Sequence, residues 1–163
     1  MNLIASATLN WGIGYENALL FHVRADMVQF RKKTTGNVVV MGRNTFLSLP
    51  NQKPLPNREN IVLSADPHFA PEGVRTARSL DELFAMLSGY DSERVFVIGG
   101  AKVYETLLPY CDRAYITRFH AAKTADRFLH DFDSDPAWHL DARSTVYAQD
   151  ALTYTFDLYT KRG

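Results

Sequence analysis

Two segments of the chain place glycine and then a basic side chain where a predicted strand meets a predicted helix. They are residues 38–45 (VVVMGRNT) and residues 95–103 (VFVIGGAKV). Glycine lets the backbone approach a ligand closely, and the start of a helix attracts phosphate, which Arg43 and Lys102 would reinforce. Each segment alone is also typical of ordinary α/β junctions, because neither fits the spacing of a known phosphate-binding loop. Two in one small chain favour a shared pyrophosphate crevice at the carboxyl ends of the strands, and so a nucleotide cofactor.

Asp26 is the candidate for acid–base chemistry. On a predicted helix over residues 24–33 it shares a face with Val23 and Phe30, so a carboxylate lies in an apolar stripe. Burying a carboxylate is costly unless it pairs with a cationic group such as a ligand. Asp26 followed by Gln29 also fits a helix N-cap with its capping-box partner, and this segment alone leaves both interpretations open.

Residues 10–21 form a long connection between the first predicted strand and this helix, and they contain Gly12 and Gly14. Such a loop at the carboxyl end of a strand is either a lid over a ligand or a packed surface loop. As part of a lid, Trp11 is expected to approach the bound cofactor. In the next proline-rich loop, Arg58 is either a fork for a ligand carboxylate or a solvated surface side chain.

The predicted elements alternate between strand and helix. Strands are predicted over residues 2–9, 38–41, 60–63, 73–76, 95–98 and 114–119, and helices over residues 24–33, 43–49, 79–87 and 101–108. The pattern Ser79-x-x-Glu82 predicts a capping box at the third helix. Alternation favours an α/β fold with a mainly parallel sheet covered on both faces. Residues 138–147 and 152–160 predict a C-terminal hairpin that adds an antiparallel edge, and residues 1–163 are predicted to form a single domain.

Composition excludes several classes of protein. Lys plus Arg and Asp plus Glu both number 18, so no net charge draws the chain to nucleic acid or to an anionic membrane, and its apolar runs are too short to span a bilayer. The N-terminus has no basic segment before its apolar residues and is predicted to be a strand instead of an export signal. Cys111 is the only cysteine, which favours a reducing, cytoplasmic setting. The five histidines lack metal-ligand spacing, so no metal is expected.

Taken together, these motifs resemble the chromosomal, bacterial-type dihydrofolate reductase family over nearly the whole chain. The matching motifs are Gly12-Ile13-Gly14 with Glu16-Asn17, Ala25-Asp26-Met27 with Phe30, residues 40–45 (VMGRNT), 54–64 (PLPNRENIVLS) and 98–104 (IGGAKVY), and Tyr115-Ile116-Thr117. The resemblance implies an α/β fold with a central eight-stranded mixed, mostly parallel sheet flanked by four helices.

The resemblance also implies an activity. The enzyme would reduce 7,8-dihydrofolate to tetrahydrofolate for one-carbon metabolism, with hydride from NADPH going to C6 and a proton to N5. Asp26 would bind the N3 and 2-amino edge of the pteridine and promote protonation of N5 through water. Thr117 would support Asp26. Antifolates would be inhibitors, and the chain is expected to be a monomer.

The remaining roles follow from the same resemblance. The catalytic region would comprise Asp26, Thr117, Phe21 and Leu19. The substrate would contact Ile4, Ala5, Asp26, Met27, Phe30, Leu49, Leu55, Arg58, Ile98, Tyr104 and Thr117, with Arg58 on the glutamate α-carboxylate. NADPH would contact Ser6, Ile13, Gly42, Arg43, Asn44, Thr45, Leu63, Ser64, Ala65, Arg78, Gly99, Gly100, Ala101, Lys102, Val103 and Tyr104, with Arg43 and Ser64 on the 2′-phosphate, aided by Lys102.

The chain departs from the family pattern around the lid. Phe21 stands where many relatives have tryptophan, and no proline precedes the Ala25-Asp26 pair. Leu19-Leu20 replaces a frequent Met-Pro. Asp126 matches an aspartate whose loop contacts the closed lid, but Arg127 follows it where a small hydroxyl residue is common. We therefore expect lid geometry to be the least transferable feature.

Two other functions fit part of the sequence. A riboflavin-pathway reductase shares the fold and NADPH, but a phosphoribosyl substrate calls for a phosphate site, which Asp26, Phe30 and Arg58 do not provide. A non-catalytic nucleotide-binding module would need neither an acid in an apolar stripe nor a lid. Retained cofactor binding without turnover would identify such a module.

Overall fold

The chain is built around one mixed β-sheet, as seen in a computed structural model that describes all residues from 1 to 163. The strands are β1 (Asn2–Ala7), β2 (Gly12–Gly14), β3 (Val38–Gly42), β4 (Glu59–Leu63), β5 (Arg75–Ala77), β6 (Val95–Gly99), β7 (Arg113–Phe119), β8 (Arg127–Phe128), β9 (Trp138–Arg143), β10 (Tyr147–Gln149) and β11 (Leu152–Lys161). The helices are α1 (Arg24–Thr34), α2 (Arg43–Leu47), α3 (Leu80–Leu87) and α4 (Ala101–Leu107).

The central strands run parallel, as predicted from the alternation of strand and helix. The order across the sheet is β10-β11-β7-β1-β6-β3-β4-β5, and all pairings from β7 to β5 are parallel. Strand β3 explains why: Val38, Val39, Val40 and Met41 are all fully buried, so both faces of the strand need covering. The carboxyl ends of β1, β3 and β6 consequently meet at one edge, where the candidate site lies.

The C-terminal strands add the predicted antiparallel edge. Strand β11 pairs with β7 on one side and with both β9 and β10 on the other, so β9 and β10 share one position and the sheet is eight positions wide. This confirms the expected eight-stranded mixed sheet with four helices. The predicted strand over 138–147 is nevertheless broken at residues 144–146. Arg143 pairs with Asp157 and Tyr147 with Tyr154, so three residues stand opposite two, and Ser144 Oγ accepts the hydrogen bond of Phe156 N–H.

Helix boundaries follow local chemistry. Ser79 caps α3, its Oγ accepting from Glu82 N–H at 3.1 Å, but the Glu82 carboxylate accepts from Arg78 N–H instead of closing a capping box on Ser79. Helix α2 ends at Leu47 instead of the predicted residue 49. The reason is Pro50, which disfavours helical geometry in the preceding residue, and Leu49 is extended. None of the four helices combines the length and apolarity that crossing a bilayer requires.

Candidate active site

Asp26 lies inside α1, not at its start. The N-cap of α1 is Val23, so the capping interpretation of Asp26 is wrong. Thr117 Oγ1 donates a 2.6 Å hydrogen bond to Asp26 Oδ1, and the Ser6 hydroxyl lies near enough to the carboxylate to lower its pKa. Ser6 and Thr117 are register partners on the parallel strands β1 and β7, so their side chains project from the same face of the sheet toward α1.

No cation of the chain pairs with Asp26. Burial raises the pKa of its carboxyl above the ordinary value, and the hydrogen bonds from Thr117 and Ser6 only partly offset this effect. The carboxyl therefore keeps a proton to higher pH than a surface aspartate does. A half-buried acid without a cationic partner can pair with hydrogen-bond donors of a ligand, and it can hold or release a proton beside it.

The two glycine-containing junctions meet in space, as the sequence predicted. Strands β3 and β6 are neighbours, with Met41 opposite Gly99. A Cβ atom on Gly42 would lie 3.0 Å from Val103 Cγ2, and one on Gly100 would lie 3.5 Å from Thr45 Oγ1. A side chain on Gly42 would crowd Val103, whereas 3.5 Å at Gly100 is an ordinary contact distance, and the two junctions lie side by side at the edge of the sheet.

Gly99 also approaches Tyr104. Its φ of +120° is a conformation that side chains rarely adopt, and an added Cβ would lie 3.3 Å from the Tyr104 ring. Tyr104 is buried, and its hydroxyl donates a 2.8 Å hydrogen bond to the carbonyl oxygen of Ile4. Burial and the nearby Asp26 raise the pKa of Tyr104, which keeps this phenol neutral. The bond ties α4 to β1 between the crevice and Asp26.

Arg58 is held in a defined orientation. Its Nε donates to the Pro56 carbonyl at 2.9 Å and its Nη1 donates to Thr34 Oγ1 at 3.1 Å. Burial and the neighbouring Arg31 lower its pKa, because both disfavour another positive charge there. The guanidinium lies 6.0 Å from the Phe30 ring. An arginine fixed in this way, at the end of α1 beyond Phe30, can receive a carboxylate.

Of the apolar residues predicted to contact the substrate, some pack against the core and others are exposed. Leu49, Leu55 and Ile98 pack together against the buried cluster around Met41 and Phe46. Ile4 is buried, Phe30 is partly buried, and Met27 is 65% exposed on α1 beside Asp26. Leu19 is also exposed, in the loop before α1. Met27 and Leu19 therefore have surface available for a ligand, whereas Ile4 is mainly part of the core.

The predicted 2′-phosphate region contains a residue that sequence reasoning missed. Arg43 Nη1 lies 3.5 Å from Asp66 Oδ2, and Ser64 Oγ accepts from Asp66 N–H at 3.3 Å. Arg78 lies beneath this segment and donates to the carbonyl oxygens of Ser64 and Asp66. Arg43, Ser64 and Arg78 thus come together. Lys102 lines a cleft of about 540 Å³ between α4 and β8, together with Arg127.

The loop over residues 10–21 is fastened at both ends. Strand β2 within it pairs with β8, and Glu16 N–H donates to Asp126 Oδ2 at 3.0 Å, which agrees with the contact expected for Asp126. Lys123 Nζ donates a 2.7 Å hydrogen bond to the Leu20 carbonyl and lies 4.9 Å from the centre of the Phe21 ring. The contacts of Lys123 with this loop were not predicted.

Trp11 does not lie on the ligand side of this loop, contrary to expectation. It is 6% exposed, its ring packs against Phe132 and Tyr159, and the Arg118 guanidinium lies 3.6 Å from its centre. Its indole therefore belongs to the core. The apolar residues of the loop were the signal for this outcome, since a packed loop was the alternative to a lid.

The start of α1 lacks the proline that many relatives have there, and a side chain from elsewhere in the chain caps it instead. Arg24 is the first helical residue, and its free N–H donates to Gln149 Oε1 at 3.0 Å. Gln149 Nε2 in turn donates to the His22 carbonyl at 3.2 Å. The C-terminal hairpin thus supplies the cap that Val23 cannot provide, and the helix bearing Asp26 is positioned by it.

Comparison with known proteins agrees with this arrangement. A family model described as dihydrofolate reductase matches residues 1–161. Dihydrofolate reductase type 3 of Salmonella typhimurium is 39% identical over 98% of this chain and 96% of its own length, and dihydrofolate reductase of Bacillus subtilis is 36% identical over 100% and 95%.

A solved structure shows the same fold. Dihydrofolate reductase from Enterococcus faecalis, complexed with NADP(H) and RAB-propyl, superposes with a TM-score of 0.85 at 32% identity, covering 99% of this chain and 96% of that one. The fold, the sequence identities and the family model all indicate the same family. The chain therefore belongs to the dihydrofolate reductase family, whose members reduce dihydrofolate with NADPH.

Proposed function

We propose that Asp26, Arg58 and Arg43 are the residues by which this protein reduces 7,8-dihydrofolate with NADPH. The observation that carries the proposal is Asp26: a half-buried carboxyl that accepts a hydrogen bond from Thr117 and has no cation beside it. Such a group requires a ligand with several N–H donors. The 2-amino-pyrimidine edge of a pteridine has this character, because its N3 and 2-amino groups form a matched pair of donors.

Asp26 has two tasks in this assignment. It orients the pteridine through N3 and the 2-amino group, and its raised pKa makes it a better proton acceptor than a surface aspartate. The proton reaches N5 through water, since a side chain bound at the 2-amino edge does not reach N5 directly. Thr117 positions the carboxyl. Arg58 fixes the far end of the substrate by its α-carboxylate, while Phe30, Leu49 and Leu55 exclude water from the rings between them.

The cofactor crevice fits a dinucleotide. A side chain on Gly100 would point toward Thr45 Oγ1 between the two junctions, so glycine leaves the backbone open to a pyrophosphate. When bound there, NADPH supplies the hydride that reduces C6. Gly42, Arg43, Thr45 and the backbone of Gly99–Gly100 hold its phosphates, and Tyr104 separates the crevice from the core.

We include several finer assignments in the same proposal. Residues 1–163 act as one domain, since nine of the eleven strands, from β1 to β11, belong to one sheet. We also propose that the chain works as a monomer. A cytoplasmic setting is supported by Cys111, which is buried and has its pKa raised to about 11 by burial, so it stays a thiol. Antifolates that mimic the pteridine edge compete at Asp26.

The test is a spectrophotometric assay of NADPH oxidation with and without dihydrofolate. We expect oxidation only when both are present. Wild-type protein that binds NADPH by calorimetry but never oxidises it would support a non-catalytic nucleotide-binding module. Turnover of a phosphoribosylaminopyrimidine in place of dihydrofolate would support the riboflavin-pathway reductase.

A further inference from the structure

The side chain of Arg43, the proposed phosphate ligand, lies beside a carboxylate. Arg43 Nη1 lies 3.5 Å from Asp66 Oδ2, and the two side chains are 50% and 35% exposed. The hydroxyl of buried Ser64 accepts from Asp66 N–H, so Ser64 lies beside the same residue. A ligand phosphate that reaches Arg43 and Ser64 therefore also meets the negative charge of Asp66.

Asp66 is fixed in this position. Its Oδ1 accepts from His68 N–H at 2.9 Å, which closes a local turn, and its carbonyl accepts from Arg78 Nη1. One carboxylate oxygen and the backbone are thus held by the chain, while the other oxygen faces Arg43. Moving the Asp66 carboxylate away from an arriving phosphate would break its hydrogen bond with His68 N–H and open this turn.

The pair of side chains suits two different ligand groups. A guanidinium binds a phosphate dianion, whereas a carboxylate repels that dianion and accepts a hydrogen bond from a ribose 2′-hydroxyl. We propose that Asp66 is a specificity-determining residue of the cofactor pocket, which lowers the preference for NADPH over NADH. With NADPH, Arg43 turns from Asp66 to the phosphate; with NADH, Asp66 accepts the hydrogen bond of the 2′-hydroxyl. This inference rests on the proposed role of Arg43.

Asp66→Asn removes the negative charge and keeps an oxygen that accepts from His68 N–H, while its Nδ2 takes the place of the oxygen that faces Arg43. At low ionic strength we expect NADP⁺ to bind about three- to tenfold more tightly, as loss of one unit charge near a partly exposed dianion implies, and the gain to shrink as salt is added. NAD⁺ binding should be unchanged or weaker. Calorimetry with each nucleotide measures both affinities, and the ratio of kcat/KM for NADPH and NADH should rise in parallel.

The matched control is Asp141→Asn, which makes the same chemical change on β9, at the opposite edge of the sheet from β4. It should leave both affinities at the wild-type level. Unchanged NADP⁺ affinity in Asp66→Asn, or an equal gain for NAD⁺ and NADP⁺, would overturn the inference.

Arg43→Ala separates this failure from a failure of the proposed phosphate site. If Arg43→Ala weakens NADP⁺ while Asp66→Asn leaves the NADP⁺/NAD⁺ ratio unchanged, Arg43 binds the phosphate and only the role of Asp66 is refuted. If Arg43→Ala binds NADP⁺ as well as wild type does, the phosphate lies elsewhere and both assignments fall.

Discussion

At Asp26, neighbouring hydroxyl groups lower the pKa of a buried carboxyl only partly, because they carry no positive charge. A lysine or arginine at the same place would stabilise the carboxylate and lower its pKa strongly, whereas burial with two hydroxyl donors leaves the pKa raised. The chain thereby keeps the carboxyl ready for a ligand that brings its own donors. The same arrangement makes the carboxyl the group whose titration should govern the rate.

Asp26→Asn should reduce the rate of dihydrofolate reduction at neutral pH by about 10²- to 10⁴-fold, the usual contribution of a positioned acid or base. Asparagine cannot supply a proton, although it fills the same volume. Activity should recover partly in acid, where solution provides substrate already protonated at N5. Steady-state rates across pH measure this, and a near-wild-type rate at neutral pH would contradict the role of Asp26.

Thr117→Val should raise the pKa of Asp26 further, because it removes the 2.6 Å hydrogen bond that favours the carboxylate. If catalysis uses the protonated carboxyl, the rate falls as pH rises through this pKa. The alkaline limb of the hydride-transfer profile should therefore move to higher pH. Thr117→Ser keeps the donor and should leave the limb in place; a shift to lower pH in Thr117→Val would reverse the assigned role.

At the scale of single residues, what the sequence can predict depends on how far apart the interacting residues lie along the chain. The apolar stripe around Asp26 predicted a buried acid and Gln29 allowed a cap, and the hydrogen bond that supports the buried acid comes from Thr117, 91 residues along the chain. Asp66 was missed for a related reason. Its significance comes from the side chain of Arg43, 23 residues earlier, and not from its own neighbours.

At the scale of elements, hydrophobic pattern and turn chemistry predicted the four helices, the terminal hairpin and the strands of the large sheet, but not the short strands β2 and β8. The glycine junctions were predicted to meet because parallel strands end at one edge, and they lie on the neighbouring strands β3 and β6. The pattern did not predict the break between β9 and β10, where residues 144–146 stand opposite only two residues of β11. It also missed Gln149 at the start of α1, since a side-chain cap from a distant hairpin has no local signature.

The contact between Lys123 and the loop before α1 is an element-scale feature with a kinetic consequence. Lys123→Met keeps the aliphatic stem against Phe21 but removes the hydrogen bond to the Leu20 carbonyl. An exposed charge-assisted bond of this kind contributes about 1 kcal/mol, so the loop should open roughly fivefold more often. We expect faster NADPH dissociation in stopped-flow measurements. Lys123→Arg, which keeps the charge, serves as control, and identical dissociation rates in Lys123→Met and wild type would refute the fastening.

At the scale of the whole molecule, Arg118 joins the first strand, the loop that follows it and the C-terminal strand. Its side chain is 7% exposed; Nε and Nη2 donate to the carbonyls of Thr8 and Leu9, and Nη1 reaches Asp133 at 3.0 Å. Tyr159 also donates to Asp133, at 2.7 Å. The Arg118 guanidinium thereby covers one side of the aromatic cluster that buries Trp11. The position of the loop over residues 10–21 depends on this connection across the sheet.

Arg118→Met should therefore lower the free energy of unfolding by about 2–4 kcal/mol. Breaking a fully buried ion pair costs about 3–5 kcal/mol, and here Asp133 is half exposed, while the buried carbonyl of Thr8 and the partly buried carbonyl of Leu9 each lose a donor. Arg113→Met is the matched control on the same strand: Arg113 pairs with exposed Glu93 at 3.8 Å, and its loss should cost about 0.5 kcal/mol or less. Urea unfolding with constant slope measures both changes. Equal losses in the two variants would show that Arg118 contributes no more than a surface charge, and the loop would then be positioned by β2–β8 pairing and by the fastenings at Asp126 and Lys123.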